Sequence, residues 1–265
     1  MDSYFIRTGA QQYTATSATT GAWNTSEQHI APSLGLILHI AETDFAARRT
    51  DHLSIGRVTY EIYGVVPIDV YDYQVEVIRK GKTIELVEVR LLHEGRTIVQ
   101  AHIWFMVSSD TQAVAGTAIE SITPRSQMQP FAPVQDWQGD FLETLEGFRT
   151  ELDTGRAHMW VRTNTLLVDD QPASPFSLAA SMFDIANGMA LRANPKEVMF
   201  PNVDLSAHFF RVPDFHEVEN GFSDWLGHDI RANFGPTGLG LTHSFLHDKH
   251  GPFGVMAQCL TVRIP

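Results

Sequence analysis

The chain has 265 residues, with 19 Lys and Arg against 31 Asp and Glu, a formal charge of −12. That balance, with no basic run, excludes a nucleic-acid backbone as main partner, because the surface field repels phosphate. The single cysteine, Cys259, excludes an internal disulfide framework, and no apolar stretch approaches the ~18 residues that membrane insertion needs. The first residues, MDSYFIRTGAQQY, lack a basic segment followed by an apolar run, so no signal peptide is expected. The expected setting is cytoplasmic.

In chain order, a strand-like run at 13–23 precedes residues 32–48, PSLGLILHIAETDFAAR. There Leu34, Ile37, Leu38, Ala41 and Phe45 recur at three- and four-residue steps, which predicts a helix opening near Pro32 and Ser33. Four runs of strand character follow, at 52–63, 70–80, 83–93 and 97–108, with KGK and HEGR as hairpin turns. Residues 109–138, rich in Ser, Thr, Pro, Gln and Ala, read as a linker. The order then repeats: a run at 148–167, a helix over 174–192, and strands at 202–210, 225–234, 238–247 and 254–264. The predicted division is a unit at 1–108, the linker, and a unit at 139–265. Each apolar helix needs a sheet to cover it, and each sheet leaves a face for the other half.

This duplicated order resembles the tandem hot-dog fold, and the chain looks similar to the acyl-CoA thioesterase II family. The segments that carry the resemblance are GRVTYEIYGVVP, SPFSLAASMFDIANG, NVDLSAHFFRVP and GLGLTHSFLHDKHGPFGVMAQ. The resemblance implies an α+β double hot-dog of two antiparallel sheets, each wrapped around a central helix. It implies hydrolysis of an acyl-CoA thioester; a module that binds such a ligand without hydrolysing it is the alternative. A hot-dog hydratase ranks behind both. No cofactor and no metal are implied, and exposed sheet faces suit a homo-oligomer.

The same resemblance implies a water held by Asp204, seven residues before Arg211, and by Gln258, which follows Ala257 on the last strand. The third position, ordinarily a hydroxyl residue, falls on Asn233. By period-two alternation Asp204, Ser206 and His208 share a face away from the apolar Leu205 and Ala207. Asp184, inside FDIANG, reads as structural more readily than as a ligand contact. Cys259 reads as a small buried apolar residue, and His243, His247 and His250 have no metal-motif spacing. Coenzyme A is anionic, so local cations are needed; Arg48, Arg57, Arg79, Arg162, Arg192 and Arg211 are available. In the first half Val58 and His102 match Asp204 and Gln258, which predicts one working site per chain.

Overall fold

The computed structural model describes residues 2–216 and 222–264. The first half runs β1 (Ser3–Gly9), β2 (Gln12–Ala15), α1 (Ile30–Arg48), β3 (Leu53–Ile62), β4 (Val70–Arg79), β5 (Ile84–His93) and β6 (Arg96–Val107). The second runs β7 (Gln129–Phe131), the short α2 (Asp140–Glu143), β8 (Leu145–Asp153), β9 (Arg156–Thr163), β10 (Leu166–Val168), α3 (Pro175–Ala180), α4 (Ala186–Met189), β11 (Asp204–Phe209), β12 (Leu226–Phe234), β13 (Leu239–Asp248) and β14 (Gly251–Thr261). β1 lies ahead of the first run predicted from sequence, and β2 falls at the start of that run.

Among the described residues the strands form one sheet, ordered β10-β1-β2-β4-β5-β6-β3-β11-β14-β13-β12-β9-β8-β7. Within it the order 1-2-4-5-6-3 of one half is matched by 8-9-12-13-14-11 of the other, so the duplication seen in sequence is a duplication of topology. The expectation of two separate sheets is corrected: β3 and β11 pair antiparallel, Ser206 opposite Thr59, and fuse the halves through their inner edges. An unpaired edge in each half would expose a row of backbone donors and acceptors, and pairing the two removes both.

The nineteen-residue α1 buries Ala31 through Ala41 without interruption. Leu34, Leu36, Ile37 and Leu38 have no exposed surface, each stabilising the fold by roughly 1.5–3 kcal/mol on burial. The second expected helix is broken into α3, a 3-10 turn at Phe183–Ile185, and α4. Its polar residues explain the break. The Ser181 hydroxyl donates back to Leu178 O at 2.6 Å, and Ser, Asp, Asn and Gly all offer the backbone alternatives to a continuous helix. Where α1 crosses α3, a Cβ on Gly35 would lie 2.7 Å from Ser177 O and 2.8 Å from Ser181 Cβ.

Residues 109–118 are exposed, whereas the segment from Glu120 onward packs against the second half. His247 Nε2–H donates to Glu120 O at 3.1 Å, Trp160 Nε1 donates to Thr123 O at 3.0 Å, and Ile122 is buried. Trp137, at the end of this segment, reaches a cavity between the halves.

Candidate active site

A cavity of about 590 Å³ opens where the start of α1 meets the broken second helix. Its wall takes His29 and Ile30 from α1, Asp184, Asn187 and Gly188 from the second helix, Ile62 to Val66 from the end of β3, and Asn202 from the approach to β11. Trp23 and Trp137 meet edge to face at 4.8 Å on this wall, and Trp137 Nε1 donates to Gly188 O at 2.9 Å.

Asp184 is the chemical centre of this wall. Asn202 Nδ2 donates to its Oδ1 at 2.7 Å and Gln258 Nε2 donates to the same oxygen at 2.5 Å. Burial pushes the Asp184 carboxyl up to about 7, and the two amide donors hold it back from rising further. His29 Nδ1 lies 3.9 Å from Asp184 Oδ2. That nitrogen accepts from the Ala31 N–H at 3.1 Å, capping α1, so the ring proton sits on Nε2 and the imidazole is neutral. Burial pushes His29 down to about 4, in the same direction. Asp184 therefore has no cationic partner in His29, and only the two amide donors offset its burial.

The structure does not bring Asp204, Gln258 and Asn233 together. Gln258 is fully buried on the inner face of β14 and holds Asp184. Asp204 lies on the outer face, opposite Glu61, with Oδ1 accepting from the Cys259 N–H at 2.6 Å. Asn233 is exposed on β12, its neighbours Ala232 and Leu241 marking it as an outward position. The alternation of β11 places Asp204 away from the apolar layer as expected, but the cavity opens on the helix side of the sheet. The same geometry corrects Cys259, which is exposed because its neighbour Gln258 points inward.

The first-half matches shift for a related reason. Each half has a bulge after its β5-type strand, just past Leu91↔Val99 and Leu246↔Gly254. Counting from there, Ile103 stands where Gln258 stands. His102 is an outer-face residue with Nε2 3.2 Å from Glu88 Oε2, since a slip of one residue reverses the face. A second crevice of about 400 Å³ lies at the start of α3. Of its two carboxylates, Asp51 pairs with Arg49 and Glu42 accepts from both Ser174 and Ser177 hydroxyls at 2.6 Å.

None of the six arginines named from sequence lines the cavity; Arg263 does. Arg48 pairs with Asp44 and Glu85, Arg162 with Glu146, and Arg211 with Asp248 at 2.6 Å. Asp184 had one signal in sequence, an ionisable residue inside an apolar, helix-length run. Asn202 and His29 had none, because each sits just outside the element it serves.

The acyl-CoA thioesterase N-terminal domain model matches residues 19–106, and the C-terminal domain model matches residues 121–262. No curated protein sequence matches the chain. Among solved structures, acyl-CoA thioesterase II TesB2 from Mycobacterium marinum is 15% identical, with TM-score 0.67 over 98% of this chain and 96% of that one. The tesB protein of Mycobacterium avium subs paratuberculosis is 18% identical, with TM-score 0.64 over 98% and 95%. A conserved hot-dog protein of unknown function from Alicyclobacillus acidocaldarius is 13% identical, with TM-score 0.72 over 98% and 96%. The likeness to these structures is one of fold, whereas the two domain models, in the order the duplicated sheet requires, place this chain in the acyl-CoA thioesterase family, whose members are thioester hydrolases.

Proposed function

We propose that the chain hydrolyses an acyl-CoA thioester by general-base catalysis from Asp184, with Gln258 and Asn202 orienting the carboxylate. The observation that carries this reading is a buried carboxyl with a near-neutral pKa, held by two amides beside the start of a nineteen-residue helix. Near neutrality such a group is partly ionised, can accept a proton from water and can return it to a leaving group.

In this mechanism the thioester carbonyl lies against the first turn of α1. In that turn the Ala31 N–H is capped by His29 and Pro32 has no N–H, so the Ile30 N–H is the donor without an intrahelical partner, and the helix dipole favours negative charge there. Asp184 Oδ2 takes a proton from a water as its oxygen attacks the carbonyl carbon. The oxyanion collapses, the C–S bond breaks, and the thiolate leaves with the proton held by Asp184. The products are a carboxylic acid and free coenzyme A. The side chains of Asp204 and Asn233 stand outside this sequence of steps.

A panel of acyl-CoAs assayed for thiol release tests the reading. Turnover of at least one member that is lost in Asp184→Asn supports it, and full turnover in that variant overturns it.

A further inference from the structure

The inner face of the second half carries polar atoms that the hydrolytic reading leaves unused. Thr242 on β13 and Gln258 on β14 are direct register partners, and neither has exposed surface. Gln258 uses Nε2 on Asp184, while its Oε1 is buried without a partner. The Thr242 hydroxyl is also buried without a partner. One oxygen is an acceptor and the other carries a donor proton, and register partners on one sheet face have Cβ atoms only about 5 Å apart. The first half has nothing of the kind: Val87 and Ile103 are registered in the places of Thr242 and Gln258. An apolar pair there and a polar pair here, on the same scaffold, point to a local function for the hydroxyl.

We infer that the Thr242 hydroxyl donates to Gln258 Oε1 through one bridging water, and so fixes the amide with its NH2 toward Asp184. This rests on the proposed hydrolytic role of Asp184. A primary amide has two nearly isosteric orientations. With NH2 toward Asp184 it stabilises the carboxylate, the form that accepts a proton from water. With Oε1 toward Asp184 it stabilises the protonated acid, which cannot. A donor behind the amide decides between them. Thr242 is thus a positioning residue, acting on the base through Gln258.

The other groups around Asp184 do not make this choice. His29 faces it from the start of α1 and is neutral; Asn202 bonds it from the approach to β11. Glu27 and Arg263 line the same cavity. His228 of β12, placed against Met182, has its Nδ1 occupied by the Ser244 hydroxyl at 3.1 Å.

The test is the titration of the Asp184 carboxyl carbon by NMR, in full-length wild type, Thr242→Val and Thr242→Ser, with pH–rate profiles beside it. Thr242→Val keeps the shape and removes the donor. Its Asp184 midpoint is expected to rise, with kcat/KM at pH 7 falling about fivefold, the scale of one hydrogen bond. Thr242→Ser restores both. Thr242→Ala, which also removes the donor, gives the same readout if the valine variant does not fold. An Asp184 titration in Thr242→Val that superimposes on wild type overturns the inference. The carboxyl titration reads Thr242 independently of turnover, whereas the failure of the hydrolytic reading would appear as full activity in Asp184→Asn.

Discussion

Gln258 Nε2 donates to Asp184 Oδ1 at 2.5 Å, tying the last strand to a turn 74 residues earlier. The bond spends a buried glutamine on a buried acid inside the helix layer, where an apolar pair of similar volume would pack without any desolvation cost. Retaining a carboxyl there, with Asn202 on the same oxygen, costs stability and supplies a group that ionises near neutral pH.

Asp184→Asn is expected to lower kcat by about two to four orders of magnitude, the scale of losing a general base. Asp204→Asn is expected to leave turnover within a few-fold of wild type, because that carboxylate caps the Cys259 N–H on the outer face. Steady-state kinetics of the two variants decides between them: loss in Asp204→Asn with retention in Asp184→Asn would reverse the assignment.

The activity of the wild-type enzyme should rise with pH along a limb centred near 7, as Asp184 ionises. Its stability should move the other way. Burial raises this carboxyl from its ordinary 3.8 to about 7, so the folded state binds the proton more tightly. The stability it contributes is full below pH 3.8 and is lost as pH rises through 7. Denaturant titrations at pH 5 and pH 8 should show wild type losing more stability than Asp184→Asn over that interval.

One substrate analogue should bind per chain. The inner-face equivalent of Gln258 in the first half is Ile103, and Glu42 in the second crevice is already held by two serine hydroxyls. Calorimetry with a non-hydrolysable acyl-CoA analogue measures the stoichiometry. His102→Ala should retain most of the activity, since His102 faces outward onto Glu88; two equivalent ligands would restore the second crevice as a working site.

Gly35→Ala should destabilise the protein by about 1–3 kcal/mol, the usual cost of overpacking a core. The added methyl would meet the backbone of Ser177 and the side chain of Ser181 where α1 crosses α3. Because that crossing joins the two halves, the measured m-value should stay that of a single cooperative unit. A variant as stable as wild type would show that the crossing relaxes freely.

The repeat itself was legible in the residues. Periods of 3.6 and 2 located α1 and each of β3 to β6 within a few positions, and likewise β11 to β14, because amphipathic alternation is set locally by which side of an element is covered. Family resemblance, carried by four short segments, pointed to the fold and to thioester chemistry. Three things were decided only by tertiary structure. The fusion of the halves into one sheet depends on β3 meeting β11, two edges far apart in sequence. The break of the second helix depends on Ser181 and its neighbours finding bonds that an isolated segment does not offer. The side of the sheet on which the site opens cannot be read from alternation, which sorts Asp204 and Leu205, or Gln258 and Cys259, onto opposite faces without saying which face meets the cavity. Packing against the helices settled it, placing Gln258 inside against Asp184 and Asp204 outside, and opening the cavity beside Asp184, because only the assembled halves bring the start of α1 against the broken helix of the other.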